Sequence, residues 1–312
     1  MALVDRRFFA LLAIALFAVL GLILPQGARS LVIQMMIFSV FAMGYDVCLG
    51  LTNQCSLGHS IFFGVGAYGA ILAIVHLKAG VLTSLAGGVG SGLVFAVLVG
   101  IVCVRLSEAY FVIVTAIISA VFHLLAMDLT WLTGGDDGLS VSVPPFALPG
   151  VTLSLYQPLV NYYFVLFFLA AAYLLLERIV RAPLGKIFVS IRENEKRVRF
   201  LGYDVLRYKL IAFVLSAGLG SLAGALYGLT LRYASADYFS FYWSVLPVVW
   251  CLVGGLGTLA GPWIGAVLMS LFQYYVSAWF TYYLLLFGIL VLVILKVSRK
   301  GILGFILERC GR

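Results

Sequence analysis

The side chains able to do chemistry in this sequence are sparse, and their spacing first says what the chain does not do. His59, His76 and His123 have no partner at metal-ligand spacing, so each reads as a hydrogen-bonded packing residue. The one Gly-Lys pair, Gly185-Lys186, has Val180 where a phosphate-binding loop needs its first glycine and Ile187 where Ser or Thr would hold magnesium. This chain therefore does not hydrolyse ATP. Gly255, Gly257 and Ala260 match G-x-G-x-x-A, but they open no helix after a strand, so GGLGTLAGP at 254–262 reads as a tight turn. Asp136 and Asp137, in TGGDDGL, lack the alternating oxygen ligands and distal Glu of a calcium loop. No G-x-S-x-G, H-E-x-x-H or paired carboxylate among polar neighbours is present, and the chain reads as a non-enzyme without a metal or cofactor of its own.

The charges that do occur are concentrated. Residues 178–209 hold nine basic and three acidic side chains, twelve of the 32 charges in the chain. A charge at the centre of a spanning helix costs roughly 2.5–3.5 kcal/mol, so this window lies in water. Within it, Ser190 and Glu193 have capping-box spacing and Gly202 suits a left-handed helix end. The expectation is a short amphipathic helix over 191–201, with Ile191, Val198 and Leu201 on one face, laid down by a turn at Ala182-Pro183-Leu184-Gly185. A proline at Glu195, in the interior of that helix, is expected to unfold it.

Around this window, 64% of residues are hydrophobic and 10% charged, far from a soluble domain. The fold class is all-α, a polytopic integral membrane protein forming a single transmembrane domain over 1–312. Apolar runs of spanning length occur near 8–24, 30–51, 61–79, 82–104, 110–129, 158–177, 209–230, 262–279 and 281–297, with a weaker tenth at 243–257 interrupted by glycine. The first reads as an uncleaved span, being longer than a signal-peptide core and poorly followed by a cleavage site. With ten spans and both ends inside, 17 of the 20 Lys and Arg side chains face the cytoplasm and only Arg29, Lys78 and Arg232 face out. Charge distribution along apolar spans, rather than one basic face, excludes nucleic acid as the partner. The five cysteines form no C-x-x-C pair and read as packing thiols.

Polar and glycine-rich residues at Asn53–Gly69, NQCSLGHSIFFGVGAYG, interrupt two spans. Two readings stand side by side: a turn with a close helix contact, or an interrupted helix beside a translocation path. Gln54, Ser56, His59, Gly64, Gly66 and Tyr68 are the candidates for that path, joined by Asp128, Thr133 and Asp137 from the next polar stretch. Asp46 and Asp128 are the acids within or near spans.

Four blocks carry a resemblance: GYDVCLGLTNQCSLGHSIFFGVGAYGA at 44–70, YFVIVTAIISAVFHLLAMDLTWLTGGDDGLS at 110–140, RAPLGKIFVSIRENEKRVRFLGYDVLRYKLIAFVLSAGLGSLAGALYG at 181–228 and GGLGTLAGPWIGA at 254–266. They resemble the permease subunits of bacterial ABC importers for branched-chain amino acids, of the LivM-like branch that also includes urea and related permeases. The resemblance implies a translocation path for such solutes in the bacterial inner membrane. It further implies that Arg192, Glu193, Asn194, Glu195, Arg197, Gly202, Tyr203, Tyr208 and Lys209 couple the permease to an ATPase. A sibling LivH-like permease, two ATPases that bind ATP and magnesium, and a periplasmic solute-binding protein are the implied partners. Asn53, Cys55 and Asp136 depart from the family's usual residues near the path, which touches substrate identity rather than transport. The alternative from another class is a self-sufficient secondary transporter or channel, which calls for ion-coupling acids at the membrane midplane.

Overall fold

Small residues decide which helices meet. In the computed structural model, which describes residues 3–148 and 151–280 together with 282, 285, 286, 288, 289 and 292, the closest helix contacts run through glycine. On α3 (Ser60–Leu77), a side chain at Gly66 would collide with the backbone of Ser221 on α9 (Val205–Leu231), and one at Gly224 on α9 would collide with Phe63 of α3. Lipid supplies no hydrophobic drive between helices, so close approach of backbones holds them instead. The bundle centre is therefore α3 and α9, flanked by α2 (Gln26–Thr52) and α4 (Val81–Cys103).

Around it stand α1 (Leu3–Ile23), α5 (Glu108–Asp128), the single turn α6 (Thr130–Thr133) and α7 (Pro158–Arg181). Next come α8 (Pro183–Phe200), α10 (Phe241–Gly254) and α11 (Ala260–Trp279). Six of these, α2, α3, α4, α5, α7 and α9, are long and apolar enough to cross a membrane, and the protein is a multi-pass membrane protein. Their outer faces carry exposed Val94, Leu98, Val102, Ile113, Ile117 and Leu124, as lipid contact requires. Most of the expected span at 281–297 lies outside the described residues, as does the basic run after it.

The connections sort to two ends. At one end Arg192 of α8 reaches Gly50 of α2, and Asn53 reaches Glu108 at the start of α5. At the other, Thr230 of α9 meets Asn161 of α7, and the two-residue strands β1 (Leu139–Ser140) and β4 (Tyr233–Ala234) pair antiparallel. Between them in sequence, β2 (Phe146–Leu148) and β3 (Val151–Leu153) form a hairpin.

The weak tenth span resolves into a broken element. After β4, a 3-10 turn (Ala236–Phe239) leads into α10, whose 14 residues are about 21 Å long and so fall short of a full span. The turn lies alongside α3, with the Phe239 ring stacked on Tyr68, and Trp243 of α10 stacks on Phe63 at 4.8 Å. The tight turn expected at 254–262 is present, with Gly255 and Gly257 at φ 122° and 69° joining α10 to α11.

The charged window differs from its sequence reading in four ways. Residues 178–181 finish α7 and 205–209 begin α9, so the connection shortens to 182–204. Ala182–Gly185 is no turn: Pro183 opens α8, where a missing N–H costs nothing. The Ser190–Glu193 capping box does not form either, because α8 is already under way and Ser190 Oγ donates to the Lys186 carbonyl. The cap is Asn194, extended at φ −161° and ψ 94°, whose Oδ1 accepts the Arg197 N–H at 3.0 Å. That break also shifts the apolar face: Ile191 and Val198 are buried as expected, but Leu201 is 70% exposed and Val205 takes its place. Gly202 ends the helix at φ 87° as anticipated.

Candidate functional site

Two groups of polar residues stand out, one buried in the bundle and one at its charged end. The buried group begins where α2 ends. Asn53 caps it in left-handed conformation, and residues 53–59 fold back into the protein. Ser56 is held at both backbone groups by Tyr45, whose hydroxyl donates to its carbonyl at 2.8 Å and accepts its N–H at 3.1 Å. Gln54 accepts from Thr52 Oγ1, and the Leu57 N–H donates to Thr115 Oγ1 of α5. Every polar group of this recessed backbone segment that meets protein rather than water needs such a partner.

His59 and Ser60 then bring five elements together. His59 is fully buried, its Nε2 2.8 Å from Ser216 Oγ on α9, and its ring stands edge-on to Tyr45, Phe62 and Phe213. The Ser60 N–H donates to Ser244 Oγ of α10 at 3.0 Å, and the Ser244 hydroxyl donates to Ser60 Oγ at 2.8 Å. Ser119 Oγ of α5 lies 2.6 Å from Ser60 Oγ, and the Phe239 carbonyl accepts from both. Ser119 and Ser216 are each about 16 Å along their helices. The cluster is thus deep in the bundle, at the place where the 3-10 turn gives way to α10. It is built of neutral hydroxyls, imidazole and backbone, with His59 Nδ1 buried and without a protein partner among the described residues. Such a set recognises polar groups by hydrogen bonds; among the described residues no cluster suited to a metal ion occurs.

The remaining sequence candidates distribute around it. Gly64 faces the Phe239 ring and Gly66 the α9 backbone, so the close-contact reading describes Gly66. Tyr68 donates to the Thr133 carbonyl at 3.2 Å, and Thr133 Oγ1 donates back into α5 and α6. Asp128 and Asp137 are exposed at the end opposite α8, away from the cluster. Ser60, Ser119, Ser216, Ser244 and Tyr45 were not singled out from sequence, since lone hydroxyls in apolar helices also bond their own backbone.

At the charged end, α8 is anchored at its middle, just before the break at Asn194. Arg192 Nη1 donates to the Gly50 carbonyl at 2.6 Å and lies against Gly257, where any side chain would displace it. The Gly257 N–H in turn donates to Asp46 Oδ1 at 2.8 Å, Asp46 being fully buried on α2. α8, α2 and the α10–α11 turn therefore share one junction. Past Asn194, Glu195 accepts from Lys209 at 2.6 Å and from Arg199 at 2.9 Å, and Tyr203 stands edge-on to Tyr208. Glu193 and Arg197 are exposed, and the tip carries Phe200 and Leu201, 91% and 70% exposed.

Residues 27–295 match the family described as the branched-chain amino acid transport system permease component. The chain is 26% identical to the high-affinity branched-chain amino acid transport permease LivM of Salmonella typhimurium, over 96% of this chain and 75% of that protein. It is 27% identical to the probable LivM permease of Methanocaldococcus jannaschii, over 93% and 84%. The LivH permease of Escherichia coli is 23% identical, over 86% and 91%. No solved structure matches. With its family match covering most of its length and its bundle of apolar helices around a buried polar cluster, the chain belongs to the branched-chain amino acid transport permease family.

Proposed function

We propose that this chain is the permease subunit of an ABC importer that moves branched-chain amino acids or a related small polar solute, driven by a separate ATPase. The observation that carries the reading is the form of α8: held at its middle by the Arg192 bond to Gly50, with Gly257 against that guanidinium, and apolar and exposed at its tip. An exposed Phe-Leu pair beside charged side chains is the composition of a docking surface. Held by Arg192 before the break at Asn194, by the Glu195–Lys209 pair after it and by the Ile191–Val198–Val205 cluster across it, α8 passes a partner's movement into α2, α9 and the α10–α11 turn. In this reading α8 lies in the cytoplasm, the ten spans start and end there, and the charge asymmetry of 17 to three supports that orientation. A sibling LivH-like permease completes the transmembrane unit, two ATPases supply ATP and magnesium chemistry, and a periplasmic binding protein delivers solute in the inner membrane. Inside the bundle, the Ser60–Ser119–Ser244 hydroxyls and His59 Nδ1, which has no partner among the described residues, offer a passing solute its hydrogen bonds.

The test is to tag this chain, co-produce it with the ATPases encoded beside it, and replace Phe200 and Leu201 with Asp. ATPase retention on the tagged permease and uptake of labelled leucine are both expected to fall at unchanged membrane abundance. Uptake that persists without any ATPase would overturn the proposal and favour a self-sufficient transporter.

A further inference from the structure

We infer that the groove between the end of α4 and the start of α9 is a binding site for one anionic phospholipid. The groove has a volume of about 420 Å³ and is lined by Gly100, Ile101, Val104, Arg105 on one side and Asp204, Leu206, Arg207, Leu210 on the other. Its walls are mostly apolar, and it opens at the foot of the lipid-facing stripe Val94, Leu98, Val102, all well exposed. The position is where hydrocarbon gives way to headgroups, because α4 ends at Cys103 and α9 starts at Val205 on the charged end.

Two guanidinium groups stand at the polar rim. Arg105 makes no hydrogen bond or ion pair among the described residues. Arg207 is steadied by Asp204, whose Oδ2 accepts from its Nε at 2.7 Å. Asp204 also caps α9 through the Arg207 N–H, so its carboxylate is occupied and the two terminal nitrogens of Arg207 remain available. The three charges sum to one positive. An apolar slot continuous with the acyl region, ending in two guanidinium groups, matches a lipid with a phosphodiester headgroup: the phosphate takes fork-like bonds from arginine while one acyl chain lies along Ile101, Leu206 and Leu210. A zwitterionic lipid fits the slot equally but brings a cation to a positive rim. This inference does not rest on the ATPase partnership.

The test uses the purified full chain, with bound lipid counted by native mass spectrometry after exchange into phosphatidylglycerol or phosphatidylcholine of identical acyl chains. Retention of one phosphatidylglycerol in preference to phosphatidylcholine is expected. Arg105→Gln and Arg207→Gln should each weaken that retention roughly fivefold, and the double variant roughly 25-fold. Both side chains are exposed, so folding is expected to be kept, which a melting curve checks. Ile101→Trp, which fills the slot and leaves both arginines, should also lose the lipid. Equal retention of the two lipids, undiminished binding in the double variant, or displacement by glycerol phosphate at matched concentration would each overturn the proposal, the last by assigning the rim to a soluble anion.

Discussion

The buried cluster at Ser60 and the junction at Arg192 solve the same problem, tying several helices together, with opposite chemistry. In the interior, neutral hydroxyls, one imidazole and backbone groups bond each other. At the charged end, guanidinium, ammonium and carboxylate groups do the work, ranging from exposed Arg199 to buried Lys209 and Asp46. Burial cost separates them, since an unpaired charge in the bundle costs several kcal/mol while a hydroxyl needs only one good partner. The interior is therefore a fixed arrangement in which each partner matters, and the charged end a redundant one.

That contrast can be broken at graded sites. Gly66→Leu drives a side chain into the Ser221 backbone, where neither helix can yield, and overpacking of this kind costs upward of about 1–3 kcal/mol. Folded protein in the membrane should largely disappear; full abundance with lost transport would instead make Gly66 a path residue. Ser60→Ala, next in size, leaves the Ser244 hydroxyl without its acceptor and should cost about 1–3 kcal/mol, read as a lowered Tm together with reduced uptake. Arg192→Gln removes a charged bond to Gly50 and should reduce uptake about tenfold while the ATPases stay bound, since the tip is untouched. Loss of ATPase retention in that variant would place the docking surface at the middle of α8 rather than its tip.

Most of the helices were legible in the sequence because a run of apolar residues of spanning length admits few other structures. Two local errors have a common cause. From their neighbours alone Ser190 and Pro183 have the look of a cap and a turn, whereas α8 runs helical through Ser190 into residues held from farther along the chain, Arg192 by Gly50 and Ile191 in the cluster with Val198 and Val205. Asn194 then moves Glu195 to the first position of a new helical segment, where proline is tolerated. The expectation that proline at 195 unfolds the helix is withdrawn accordingly. The buried cluster was only half legible: His59 and Ser56 marked one strand of chain, but Ser119, Ser216 and Ser244 acquire meaning only once α5, α9 and α10 are brought to the same depth.

The two-residue pairing of Leu139 with Ala234 and Ser140 with Tyr233 has a mechanical consequence. Five residues, 235–239, separate that ladder from the Phe239 carbonyl that accepts from Ser60 and Ser119. Even fully drawn out, such a tether reaches only about 17 Å, and here most of it is already wound into a 3-10 turn. The Leu139–Ser140 loop and the polar cluster are thus the two ends of one short leash. A pull on the loop has little slack to absorb it, so it must either unzip the ladder, unwind the turn, or arrive at Ser60.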